Sequence, residues 1–266
     1  MKIGITQLCI PGTVEEVAEK TAKWGYEVLE LVMDTEGGIL DLDTPDTRKK
    51  EITSIIEDAG IELVSLVARP VAEFPLFSND KEVRDKGIER CCRVLDTAAF
   101  MDCDTILLVP GKLMPEHFYD EAIDYLVESL QEIGPYAKEK GVQVGIEPVW
   151  NKFLVSPMDM LHVIQKTDNP NIGVYIDTGN MVFWNYPEHW IRILGTHIKK
   201  IHFKDFKREG MNLQFVPLGE GEVNWNNVMQ EIRGAGYAGP VISEVDGDDD
   251  LMVRTSEKIK EIVRLE

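Results

Sequence analysis

The chain has 266 residues, 44% of them hydrophobic, enough to bury one large core and close to the ~250 residues of a single closed α/β barrel. Asp and Glu number 47 against 28 Lys and Arg, a formal net charge of -19, which repels a phosphate backbone and excludes general nucleic-acid binding. No run approaches the ~20 apolar residues of a membrane span, and the opening stretch to Thr6 is interrupted by Gln7 and Pro11 too soon for a secretory signal.

In chain order, short β-rich runs alternate with longer segments of helical spacing. A strand at Lys2–Thr6 precedes a helix over Val14–Trp24, then Val28–Val32 precedes Thr47–Ala59, Glu62–Val67 precedes Lys81–Phe100, and Thr105–Leu108 precedes Tyr119–Lys140. The second half repeats the pattern: Val142–Ile146 with Met158–Lys166, Gly173–Ile176 with Glu188–Leu194, Lys199–His202 with Trp225–Ala235, and Val241–Ser243 with Met252–Val263. Glycine turns at Gly60, Gly141 and Gly236 close several helices before the next strand. The one longer irregular insert is Asp205–Asn224. Eight such units in succession, with no Gly-x-Gly-x-x-Gly turn after the first strand, predict a single (β/α)8 TIM barrel rather than an open doubly wound sheet. The expected domain is one barrel over residues 1–266.

The cysteines, Cys9, Cys91, Cys92 and Cys103, form neither a Cys-x-x-Cys pair nor a disulfide framework, so a reducing cytoplasm is the expected setting. Adjacent Cys91 and Cys92 sit in a helical pattern where at most one faces the core.

Four consecutive strands end in groups able to bind a cation: Glu147, Asp177, His202 and Glu244. Barrel sites form at the C-terminal mouth, so these four side chains should converge. Three carboxylates at one mouth repel one another unless a cation neutralises them. Three oxygen donors with one imidazole suit a single divalent ion, Mn2+, Mg2+ or Co2+, and the set admits Zn2+ as well.

At these residues the chain resembles the xylose isomerase-like TIM barrel superfamily. The similarity rests on Ile146-Glu147-Pro148, Asp177-Thr178-Gly179-Asn180, Ile201-His202-Phe203-Lys204-Asp205, Pro217-Leu218-Gly219-Glu220-Gly221 with Val223-Asn224-Trp225, and Glu244. The branch it most resembles is that of ketose 3-epimerases acting on ketoses or pentulose 5-phosphates. The resemblance implies a sugar or sugar-phosphate isomerase/epimerase in which Glu147 and Glu244 face opposite sides of the sugar. One glutamate would remove the proton beside the carbonyl and the other would return it on the far face, while Asp177 and His202 hold the ion.

Cations near the mouth are Arg69, Lys112, Lys152, Lys204 and Arg208; two of them turned inward would make a phosphate site. Arg208 occupies an offset six positions beyond His202 at which an arginine touches the sugar in the epimerases this chain resembles, and Lys204, Lys152, Asn180 and Trp150 are further substrate-binding candidates. Trp150, Phe153 and Trp184 would either wall the sugar or pack their own loops, while His117, His162, His189 and His197 fall on or beside helices. The free-ketose enzymes of that branch carry an acid shortly after the fifth-strand glutamate and a histidine three places after the sixth-strand aspartate. Here the first position is absent from Trp150-Asn151-Lys152-Phe153-Leu154 and the second is Asn180, which points away from a standard free ketohexose. The alternatives are a metal-dependent dehydratase of keto-inositols or keto-sugars, with Lys204 as acid, an aldose–ketose isomerase, and a non-catalytic sugar-binding subunit. The expected partner is a small sugar or sugar phosphate, with neither nucleic acid nor membrane; barrels of the kind it resembles often form dimers or tetramers, which leaves a homo-oligomer open.

Overall fold

The computed structural model describes residues 1–265, so the last residue of the expected domain lies outside the described residues. Eight strands form the barrel: β1 (Ile3–Thr6), β2 (Val28–Asp34), β3 (Glu62–Ala68), β4 (Thr105–Leu108), β5 (Gln143–Ile146), β6 (Ile172–Asp177), β7 (Ile198–Phe203) and β8 (Val241–Ser243). Each pairs in parallel with its neighbours in sequence, and β1 closes the ring by pairing with both β2 and β8. A principal helix follows every strand: α1 (Val14–Lys23), α2 (Asp46–Asp58), α3 (Lys81–Phe100), α4 (Tyr119–Lys140), α5 (Pro157–Thr167), α6 (Pro187–Leu194), α7 (Trp225–Gly234) and α8 (Asp249–Ile262). This is the (β/α)8 TIM barrel that the alternating pattern predicts, because a parallel pair needs a crossover long enough to hold a helix.

The period-2 alternation of β2 sorts its side chains. Leu29, Leu31 and Met33 join the large apolar layer between strands and helices. Val28 and Val32 instead pack with Val64, Val67, Leu107, Tyr175 and Ile242 in a second, smaller cluster. Glu30 lies between Val28 and Val32 on that face, fully buried. Gly60, Gly141 and Gly236 take left-handed φ values of 75°, 72° and 71°, as their place at helix ends predicts. Cys91 is buried and Cys92 half-buried, as adjacent residues on one helix must be.

The insert after β7 departs from expectation. It opens as an antiparallel hairpin, Asp205–Glu209 with Asn212–Val216, turned at Gly210 with φ 64°. Its pairing is set by Phe206 opposite Phe215 and by the glycine turn, a period-2 signal too short to stand out from the irregular sequence around it. Two short helices also escape the sequence pattern, Arg69–Ala72 and Thr178–Trp184, each starting directly from a barrel strand.

Candidate active site

The four strand-end residues meet at the mouth. Asp177 is the last residue of β6 and pairs in register with His202 of β7. Glu147 and Glu244 each follow a strand by one residue, and their amides prolong the ladders by donating to the carbonyls of Leu108 (3.0 Å) and Phe203 (3.2 Å). One donor atom from each of the four lies within 4.8 Å of the others. His202 Nδ1 is 3.2 Å from Glu244 Oε2 and 3.9 Å from both Glu147 Oε1 and Asp177 Oδ2.

The donor set fits a divalent cation. His202 Nδ1 and Asp177 Oδ2 are buried with no hydrogen-bond partner among the described residues, although both face the carboxylate cluster. An unpaired buried polar atom costs about 1–3 kcal/mol, which ligation would offset. Donors around a small hard cation at ~2.1 Å stand roughly 3–4 Å apart, so the observed spacing needs only a slight contraction. Asp177 Oδ1 is already committed, accepting the Asn180 amide at 2.7 Å as the cap of the Thr178–Trp184 helix, which leaves Oδ2 for an ion.

Burial and mutual charge divide the two glutamates. Burial, reinforced by the Glu244 carboxylate, raises the Glu147 carboxyl well above its ordinary value. For Glu244 burial pushes the same way, but the His202 imidazole 3.2 Å away and the Lys204 charge hold it well below the usual carboxylate range. Burial pushes Asp177 up to about 7. Burial alone would lower His202, yet Glu30 and Glu244 hold it above its ordinary value, and Asp177 and Glu244 likewise hold Lys204 up against burial.

Lys204 belongs to this centre. Its Nζ donates to Glu244 Oε1 at 2.7 Å, stands 4.0 Å from Asp177 Oδ2 and lies 4.1 Å from the Phe215 ring centroid. The Thr178 hydroxyl fixes the Lys204 backbone, donating to its carbonyl (2.7 Å) and accepting from its amide (3.0 Å). Gly179 is required beside it, since a Cβ there would fall 2.8 Å from Lys204 Cγ and 2.9 Å from its Cβ. Asn180 Nδ2 donates to Glu147 Oε1 at 3.2 Å, so this side chain touches the cluster where the resemblance would have placed a histidine.

The next residue, Asp205, is an organiser. Its buried carboxylate accepts the amides of Phe206, Gly219, Gly221 and Val223 and, at 3.3 Å, the Trp225 indole N–H. That is why the Pro217–Trp225 run carries small residues and a tryptophan at fixed spacing: it wraps one carboxylate.

Trp150 forms part of an aromatic wall. It stacks on Phe215 at 5.1 Å, meets Phe183 at 4.7 Å and Phe206 at 5.4 Å, and donates its indole N–H to the Asn180 carbonyl. Phe153 does not join it; it is fully buried against Phe77 and Tyr119. Trp184 touches the wall through Phe183. Arg208 donates to the Phe183 carbonyl at 3.2 Å, and its guanidinium stands 5.7 Å from the centroid of that ring. Lys152 is exposed, with a left-handed φ of 67°, and Lys112 is exposed as well.

Two cavities open at the mouth, of about 370 Å3 and 350 Å3. The first is lined by Lys204, Phe215, Glu244 and Asp246 among others, the second by Gln7, Asp34, Arg69 and, again, Asp246. Arg69 is paired with Asp34 at 2.9 Å.

Sequence reasoning missed Glu30. Its Oε1 is 2.9 Å from His202 Nε2, and its Oε2 accepts the hydroxyls of Ser65 and Tyr175, each at 2.6 Å. The signal was present: a single charge inside the apolar run Val28-Leu29-Glu30-Leu31-Val32 is expensive unless it has partners.

A family model for the xylose isomerase-like TIM barrel matches residues 18–264. An uncharacterized protein of Methanocaldococcus jannaschii is 24% identical over 99% of this chain and 88% of its own length. The L-ribulose-5-phosphate 3-epimerase UlaE of Salmonella paratyphi A is 25% identical over 83% of this chain and 78% of its own. A crystal structure of a D-tagatose 3-epimerase-like protein superposes with a TM-score of 0.84 at 23% identity, covering 99% of this chain and 97% of the other.

Proposed function

The chain belongs to the xylose isomerase-like TIM barrel family, and from that premise we propose that it is a divalent-metal-dependent sugar epimerase that inverts the carbon beside a ketose carbonyl. The observation that carries this reading is the convergence of Glu147 and Glu244, from the ends of β5 and β8, on one four-residue centre, with carboxylate oxygens 3.9 Å and 3.2 Å from His202 Nδ1. In the metal-free cluster burial raises the Glu147 carboxyl while His202 and Lys204 lower that of Glu244, the kind of separation that suits paired acid and base roles. The relatives named above, a pentulose-phosphate 3-epimerase and a tagatose 3-epimerase-like protein, support the same reaction class.

Glu147, Asp177, His202 and Glu244 would hold the ion, which would polarise the ketose carbonyl and acidify the neighbouring C–H. Glu244, ionised beside Lys204, is set to take that proton. Glu147 would return a proton on the other face, and the reverse reaction exchanges their roles. Asn180 steadies the Glu147 carboxyl at 3.2 Å, and the Trp150–Phe215 wall limits water at the reacting face. Mn2+, Mg2+ or Co2+ suit three carboxylates and an imidazole better than a structural zinc would.

The mouth favours an unphosphorylated sugar. The cations lining its two cavities are Lys204 and Arg69, each already paired with a carboxylate, while Glu244, Asp34 and Asp246 add negative charge. A phosphate dianion would meet no free cation among the described lining residues, whereas hydroxyl groups can bond to Asp34, Arg69 and Asp246. We read residues 1–266 as one barrel domain and place it in a reducing cytoplasm; four free cysteines and the absence of a membrane-length apolar helix among the described residues support that reading.

The test is proton exchange in deuterated water with Mn2+ or Mg2+, following ketoses and ketose phosphates by NMR. Metal-dependent deuterium incorporation beside the carbonyl, lost in Glu147→Gln and in Glu244→Gln, is the expected result. Loss of water to a dehydrated product would favour the lyase reading, for which Lys204 at 2.7 Å from Glu244 is a placed acid. Metal binding without exchange on any substrate would sink the epimerase assignment.

A further inference from the structure

We propose that Glu30 is a positioning residue that fixes His202 as a metal ligand through Nδ1. This rests on the reading of the four-residue cluster as a metal centre. An imidazole can ligate through either nitrogen, and which one is free depends on where the other sends its proton. His202 Nε2 faces Glu30 Oε1 at 2.9 Å, while Nδ1 points to the three carboxylates with no hydrogen bond of its own. A carboxylate accepts and cannot donate, so Nε2 carries the proton toward Glu30 and Nδ1 presents its lone pair to the ion.

Glu30 is itself held. Its Oε2 accepts both Ser65 Oγ–H and Tyr175 O–H at 2.6 Å, from β3 and β6, while His202 comes from β7. The network thus crosses the barrel interior from β2 and ties the ring orientation of His202 to the register of four strands. All four residues have no measurable exposure, so water cannot substitute for a lost partner without entering the core. A buried carboxylate in an otherwise apolar strand is costly, and an apolar residue would serve a purely structural role with less penalty. Glu30 has no contact with the cavity and acts only through His202.

The experiment measures Mn2+ affinity by the loss of the free-ion EPR signal on titrating the metal-free full chain, alongside circular dichroism of the same samples. In Glu30→Gln, which keeps the shape but loses the carboxylate, affinity should fall by about 10–100-fold with the fold retained. Tyr175→Phe removes one of the two donors and should weaken Mn2+ binding by a smaller factor in the same direction. A folded Glu30→Gln that binds Mn2+ within about threefold of wild type overturns the proposal, since a carboxylate partner of a ligating histidine normally matters more than that. If Glu30→Gln does not fold, unchanged affinity in Tyr175→Phe overturns it. Wild-type protein that binds no divalent ion overturns the metal reading, and this inference with it.

Discussion

Lys204 Nζ donates to Glu244 Oε1 at 2.7 Å, so the base assigned to proton removal is already bonded to a cation before any ion or sugar arrives. Lys204 is held above its ordinary pKa by Asp177 and Glu244, against the downward push of burial. Its charge therefore serves two ends: it neutralises the cluster when no ion is present, and it keeps Glu244 ionised. Lys204→Met should lower the stability of the metal-free protein by about 2 kcal/mol, the scale of one charged hydrogen bond, or about 4–8 °C in a chain of this size. Mn2+ should recover more of that stability in the variant than it adds to wild type, because the ion replaces the missing charge. A thermal melt with and without Mn2+ checks this, and equal metal-induced shifts in the two proteins would refute it.

Asp205 makes a separate demand. Its carboxylate is the shared acceptor for the Pro217–Trp225 run, which lines the mouth through Pro217. Asp205→Asn replaces one acceptor oxygen with an NH2 that faces N–H donors, and the loss should be on the order of 2–3 kcal/mol. Amide hydrogen exchange at Gly219, Gly221 and Val223 should accelerate together, with the barrel strands still protected. Uniform acceleration through the whole chain would instead mean that Asp205 supports the global fold.

The metal affinity should depend on pH through Asp177. Burial raises its carboxyl from 3.8 to about 7, so the folded protein holds this proton more tightly than the unfolded chain does. The sign for stability follows: in the metal-free protein ionising Asp177 opposes folding, and stability contributed by the protonated form is lost as pH rises from about 4 toward 7. A divalent ion competes with that proton, and with those that the raised Glu147 and His202 hold, so affinity should rise with pH through about 7. Isothermal titration with Mn2+ at pH 6 and pH 8 in buffers of differing ionisation enthalpy would reveal proton release; a pH-independent affinity without proton release would contradict the assignment.

Much of the candidate site was legible because barrel geometry is local in sequence. Once eight βα units are recognised, the residue ending each strand is known to face one mouth, and Glu147, Asp177, His202 and Glu244 can be read off without coordinates. The match to the family's motifs added roles for the same positions. Residues off that rule were harder. Lys204 could be named as a candidate, but only its 2.7 Å contact with Glu244 separates it from Lys152, which lies exposed on its loop.

The sequence by itself determined the alternation of strands and helices, hence the barrel, and the four polar strand ends, because hydrophobic period and turn residues act over a few neighbouring positions. Tertiary structure alone decided which cations are spoken for: Arg69 by Asp34, 35 residues away, and Lys204 by Glu244, 40 residues away. It also decided that Glu30 meets His202 across 172 residues of chain, through a register that joins the first and second halves of the ring. Such contacts are set by barrel closure and strand stagger, which bring distant inward-facing residues to one level, and no short window of sequence carries that information.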